Sequence, residues 1–129
     1  MMTGQRIPLI MLFGNLIVPI QITLTDSVIA CLNLDVTRAI ERGSVSGLII
    51  DISGVDMMDS HITRCLRDLA LTARFMGVDT IVCGMRPAVV STLIEMGLSV
   101  TGISAALNLE RALEVLLRRN AVNSAPPPT

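Results

Sequence analysis

Apolar and polar positions fall into blocks along this chain, and the block lengths separate strands from helices. Ile7 to Phe13 and Leu16 to Gln21 are short apolar runs joined at Gly14-Asn15, residue types that tolerate the positive φ of a tight turn, and they predict a β-hairpin. Pro8 and Pro19 cannot donate to a ladder, so each belongs near a strand end, at an edge, or with its nitrogen turned from a partner. Val28, Ile29, Leu32, Val36, Ala39 and Ile40 recur at three- and four-residue spacing behind a Thr25 or Asp26 cap, which predicts a helix ending at Gly43. Leu48 to Ile52 is apolar except at Asp51, as in a strand covered on both faces. A second helix is expected from Asp59 or Ser60 to Met76, with Ile62, Cys65, Leu66, Leu69, Ala73 and Met76 inward and Gly77 as its stop. Thr80 to Gly84 predicts another strand. Pro87 suits the first turn of a helix through Val90, Leu93 and Ile94 to Gly97, and a short strand is expected around Ser99 to Ile103. Asn108 caps a last helix carrying Leu109, Leu113, Leu116 and Leu117, with Arg118 and Arg119 at its C-terminal end.

A hairpin followed by alternating helices and strands predicts the α/β class: a mixed sheet of four to five strands packed with about four helices. The expected organisation is one domain over residues 1–119 and a disordered tail over 120–129, which ends in Ala-Pro-Pro-Pro-Thr and has no apolar anchors. A chain of 129 residues, 51% of them hydrophobic, buries roughly two thirds of its unfolded surface at this size, without a disulfide or structural metal.

Composition narrows the chemistry. All ten basic residues are Arg and none is Lys, which removes P-loop, Schiff-base and Ser-Lys chemistry. There is no Trp or Tyr, and two Phe residues make a poor platform for stacking single-stranded nucleic acid. A net charge of −1 provides no field to draw phosphate backbones or anionic lipid. Neither a nucleic-acid nor a membrane partner is therefore expected. Cys31, Cys65 and Cys83 stand apart in apolar surroundings with no CxxC or Cys/His spacing, and so read as buried thiols in a reducing cytoplasm. The apolar stretch after Arg6 is interrupted by Pro8, Gly14, Asn15 and Pro19, lacks a small-x-small cleavage site, and falls short of the ~18 residues that span a bilayer.

The candidate site is the stretch Asp51 to His61, joining the C-terminal end of the most buried strand to a helix N-terminus, where open α/β sheets place their functional surface. Four readings of it stand. Asp59 or Ser60 simply caps the helix, with Asp56 a loop residue. Ser60, His61 and an aspartate form a hydrolase triad, although adjacent helical residues point about 100° apart and no G-x-S-x-G elbow surrounds the serine. Gly43-Ser44-Val45-Ser46-Gly47 has valine at its centre and reads as a helix-stop loop. Asp56, Asp59 and His61 hold a metal, with no second cluster in support. Or Ser60 is a phosphorylatable serine in a docking surface of Asp56, Met57, Met58, Asp59 and His61, the methionines serving either as adaptable contacts or as partly buried packing.

The run Asp51-x-Ser53-Gly54-Val55-x-Met57-x-Asp59-Ser60 resembles the signature of STAS domains, the anti-anti-sigma-factor family, in which the serine after the aspartate is phosphorylated. The resemblance continues through Met76-Gly77, Gly84 to Val89, Thr92 to Gly97 and Ala106 to Glu110. His61-Ile62 replaces the Ser-Gly that follows Asp-Ser in simple anti-anti-sigma factors, which favours the scaffold branch found in bacterial stressosomes, typified by RsbS. The resemblance implies a cytoplasmic, non-enzymatic scaffold without cofactor or metal. It would dimerise, join a large hetero-oligomer with RsbR-like STAS proteins, and sequester an RsbT-like serine kinase. That kinase would be released when Ser60 is phosphorylated, and an RsbX-like phosphatase would reset the site. The alternative is a simple anti-anti-sigma factor that binds its anti-sigma kinase directly. Neither Thr37 nor Thr63 carries a motif for a second phosphosite, and no phosphate-cradling glycine loop suggests a nucleotide.

Overall fold

The computed structural model describes residues 6–55, 59–87, 91 and 103–124, with side chains as far as residue 119. A five-stranded mixed sheet runs in the order β1-β2-β3-β4-β5: β1 (Ile10–Leu12), β2 (Asn15–Pro19), β3 (Gly47–Asp51), β4 (Asp79–Cys83) and β5 (Ser104–Ala106). β1 is antiparallel to β2, and every later pair is parallel. Three helices are described: α1 (Asp26–Glu41), α2 (Ser60–Phe75) and α3 (Leu109–Ser124). The expected α/β mixed sheet and its N-terminal hairpin are both present.

Both faces of β3 are covered, as its apolar run requires. Leu48 and Ile50 join Leu16, Val18 and Val82 on one face, beneath Leu32, Val36 and Ile40 of α1 and Leu66, Leu69 and Ala73 of α2. Ile49 points the other way and packs with Ile17, Ile81 and Cys83 against Ala112 and Leu116 of α3. A buried parallel strand has no solvent face, so it shows a continuous run where an amphipathic strand would alternate.

The hairpin turn lies one residue earlier than expected. Leu12 pairs with Asn15, so Phe13 and Gly14 form the two-residue loop, at φ 52° and 79°. Both positions of such a loop need positive φ to match the twist of the strands. Asn15 therefore begins β2 and is fully buried. The β1-β2 ladder stops at Ile10↔Ile17, short of both prolines. Ile20 N donates to Asp51 O at 2.9 Å, so alternation turns the Pro19 nitrogen to the β1 side, beyond the end of that strand.

The strand expected around Ser99 to Ile103 lies mostly outside the described residues; a strand is described just after it, at Ser104–Ala106, where three small residues give no β-propensity signal. The last helix continues to Ser124, which places Arg118 and Arg119 inside it. Residues 120–124 hold no helix breaker, so nothing in the sequence ends the helix at 119. Arg119 donates from Nη2 to Ser104 Oγ at 3.1 Å, tying α3 to β5. The helix expected from Pro87 to Gly97 lies mostly outside the described residues. Among the described residues no helix is long and apolar enough to cross a membrane.

Candidate functional site

The C-terminal ends of β2, β3 and β4 share one edge of the sheet, at Pro19, Asp51 and Cys83. Their outgoing segments, residues 20–25, 52–55 and 84–87, begin there. Asp51 folds back on its own strand end. Its Oδ1 accepts the Ser53 amide at 2.9 Å, and the Ile52 carbonyl accepts the Val55 amide at 2.9 Å, which turns the chain toward α2. Gly84 at φ 78° lies against this turn, and a Cβ there would sit 2.7 Å from Asp51 Oδ1 and 2.9 Å from the Ser53 amide nitrogen. Only a glycine fits both the conformation and the space.

Helix α2 starts where the capping chemistry places it. Asp59 is extended, at φ −123° and ψ 178°, and its Oδ1 accepts the Ile62 amide at 2.8 Å. Its carbonyl accepts the Thr63 amide at 3.0 Å, the first bond of the helix. Ser60 is then the first helical residue, exposed to solvent, where backbone N–H groups lack intrahelical partners and the dipole favours negative charge. His61 Nε2 lies 3.3 Å from the Leu24 carbonyl. A carbonyl only accepts, so Nε2 carries the proton, and the bond pins the first turn of α2 to the segment entering α1. Between these elements opens a cavity of about 250 Å³ whose lining includes Ile20, Leu24, Gly54, Val55 and Ile62.

The competing readings separate on this geometry. His61 is bonded to the Leu24 carbonyl, and among the described residues no hydrogen bond joins its ring to the Ser60 hydroxyl, as a base acting on that hydroxyl would need. Asp59 and His61 are each committed to bonds that hold the fold, and among the described residues no group of His, Cys, Asp or Glu is placed to hold a metal. Thr63 is buried, and Thr37 donates its hydroxyl to the Asn33 carbonyl at 2.6 Å, whereas Ser60 is open to a modifying enzyme. Asp56, Met57 and Met58 of the expected docking surface lie outside the described residues. Asp59, Ser60 and His61 sit together at the head of α2.

The charge around this turn is acidic. The Cys65 thiol, half-buried in α2, is pushed above its ordinary value by burial first and then by Asp68 and Asp26, with Arg64 opposing. Composition could not show the part played by residues 20–24. These polar and apolar residues carry no motif, yet through His61 and the cavity they form one wall of the site.

Comparison with known proteins follows this architecture. Residues 6–115 match the family model for the STAS domain. A serine-to-glutamate variant of RsbS from Moorella thermoacetica has the same fold, with a TM-score of 0.78 and 32% identity, over 88% of this chain and 97% of that one. A chain from the structure of the stressosome, described as a signal integration and transduction hub, gives 0.77 and 33% over 88% and 98%. The RsbT co-antagonist protein RsbRC of Bacillus subtilis is 32% identical over 114 residues, which cover 88% of this chain and 40% of that protein. The chain thus spans less than half of the co-antagonist's length.

Proposed function

The chain belongs to the STAS domain family, and on that premise we propose that it is a non-enzymatic stressosome scaffold that holds a serine kinase and releases it when Ser60 is phosphorylated. The observation that carries the reading is the position of Ser60, exposed in the first turn of a helix capped by its neighbour Asp59. Likeness to the stressosome chain along 98% of its length supports an assembling role, and likeness to RsbRC supports RsbR-like STAS proteins as co-assembly partners.

In this scheme an RsbT-like kinase docks on the head of α2, with Asp59 and His61 and, from the preceding stretch of sequence, Asp56, Met57 and Met58 as its proposed contacts. Phosphorylation adds about −1.5 to −2 charge at neutral pH. The unpaired amides at the helix start accept that charge without disturbing the fold, so the change falls on partner affinity. Coupling of ~1–3 kcal/mol, the usual regulatory range, shifts binding roughly 5- to 150-fold. An RsbX-like phosphatase restores the starting state.

The test is kinase treatment of the wild-type chain and the Ser60→Ala variant, followed by phosphate mapping and kinase pull-down. Ser60→Ala is expected to keep its fold and its STAS partners and to retain the kinase permanently. Kinase-dependent phosphate found only at another residue would remove the assignment. A small complex with one anti-sigma kinase, in place of a large assembly with other STAS proteins, would favour the simple anti-anti-sigma role.

A further inference from the structure

At the opposite end of α1 and β2 from Ser60, a cavity of about 550 Å³ opens between the C-terminal half of α1 and the segment leading into β1. Cavities of this size hold small-molecule ligands. Asp35, Arg38, Ala39 and Arg42 line it from the helix side, and their spacing puts them on one stripe beside the buried Val36 and Ile40. Arg6 lines it from the chain entering the sheet. Its Nη2 bonds Asp35 Oδ1 at 2.7 Å, so the single carboxylate of the lining is already matched. Arg38 and Arg42 have no carboxylate partner among the described residues, which leaves two uncompensated positive charges over one cavity in a chain of net charge −1.

The floor of the cavity is apolar. Ile7 and Leu16 are buried at its base, and Met11 is half exposed at its rim. A place near the end of a helix accounts for a basic residue through the dipole, but not for an open apolar floor beneath two unpaired guanidinium groups. Those groups are planar forks suited to carboxylate and phosphate oxygens.

We propose that this cavity binds an amphipathic anion, a carboxylate or phosphate monoester on a short aliphatic body, with Arg38 and Arg42 holding the head and Ile7, Leu16 and Met11 holding the body. Such a ligand would occupy the domain without covering Ser60, so the site stands independently of the phosphorylation scheme.

Calorimetric titration of the full chain with octyl phosphate, octanoate, octanol and inorganic phosphate tests the proposal. Octyl phosphate and octanoate are expected to bind saturably and roughly tenfold more tightly than octanol or inorganic phosphate, the scale of losing one charge-assisted hydrogen bond. Arg38→Gln and Arg42→Gln should each weaken octyl phosphate by a similar factor. Asp35→Asn should strengthen it, because Arg6 is then freed for the anion, and a general loss of structure would not move affinity in that direction. Sedimentation with phosphatidylcholine vesicles containing phosphatidic acid separates the sources. Arg38-dependent capture identifies a lipid headgroup, and binding of the soluble probes alone identifies a free metabolite. Equal affinity for octanol and octyl phosphate, affinity unchanged in both arginine variants, or no saturable binding by any probe would overturn the assignment.

Discussion

Replacing Asp59 separates its service to the helix from any service to a partner. Its Oδ1 accepts the Ile62 amide at 2.8 Å, so Asp59→Ala leaves that donor to water and removes a carboxylate from the positive end of the helix dipole. Loss of an N-cap costs ~1 kcal/mol, with a range of about 0.5–2, and the charge–dipole contribution adds about 0.3–1 kcal/mol. The total of roughly 1–2 kcal/mol corresponds to a melting shift of ~3–8 °C for a domain of this size. Asp59→Asn keeps an acceptor in place and loses only the charge, so its cost should stay below about 1 kcal/mol. Urea unfolding followed by circular dichroism gives both numbers. Hydrogen exchange at Ile62 and Thr63 localises them, with roughly 5- to 30-fold faster exchange expected in the alanine variant. If Asp59→Ala were neutral, or Asp59→Asn cost as much as Asp59→Ala, the capping argument would fail. A loss of kinase affinity in the stable asparagine variant would assign the carboxylate itself to docking.

Three other outcomes follow from the same structure. Gly84→Ala places a methyl group 2.9 Å from the Ser53 amide at φ 78°, and the conformation alone costs ~1–3 kcal/mol; chemical denaturation should show at least that loss. Leu116→Ala truncates the large, fully buried side chain that α3 packs against the sheet and should cost ~2–5 kcal/mol. A cost under 1 kcal/mol would mean that α3 is not seated as described. Burial, with Asp51 adding to it, pushes the Cys83 thiol from 9.0 to about 12. The unfolded chain then releases its proton first, so this contribution to stability is complete below pH 9 and is lost as pH rises toward 12, at up to ~1.4 kcal/mol per unit. Denaturation midpoints should fall over that interval in wild type and fall less in Cys83→Ala, and the native thiol should resist alkylation at pH 8.

The helices were legible because their signals are local. Thr25 caps α1 through the Val28 amide at 3.3 Å, and Asn108 caps α3 through the Arg111 amide at 2.9 Å, each as side-chain type and apolar spacing indicate. β3 was legible from its unbroken apolar run. What the sequence concealed depends on partners distant along the chain. The hairpin turn moved because Asn15, a turn former by propensity, is claimed by the buried ladder that pairs it with Gly47. β5 was not legible because Ser104 to Ala106 take their strand conformation from Ile81 to Cys83 of β4 and not from their own side chains. At the site, the position of Ser60 was legible from the Asp59 cap. The His61 contact, 37 residues away at Leu24, was not, since no spacing rule links the two. The arginine cavity was equally hidden: Arg6 and Asp35 are 29 residues apart and meet only when the segment before β1 folds against α1.

The same contacts explain why phosphate on Ser60 is expected to act on partners and leave the domain folded. A modified residue within a helix interior or an apolar interface would have to desolvate its new charge. Ser60 is exposed, and its nearest structural duty belongs to Asp59, whose cap closes one residue before it. The first turn is held from two directions, by Asp59 on Ile62 and by His61 on Leu24, and neither bond uses the serine hydroxyl. A phosphate there meets the positive end of α2, which favours it, and a neighbouring carboxylate at Asp59, which opposes it. These two influences oppose each other locally, while the added charge remains large against the chain's net −1. Thermal melts of the phosphorylated and unphosphorylated chain should therefore agree within about 2 °C, less than the shift given by 1 kcal/mol, while kinase affinity changes. A phosphoprotein that melts many degrees lower would show that release of the kinase comes from unfolding of α2 and not from repulsion at an intact surface.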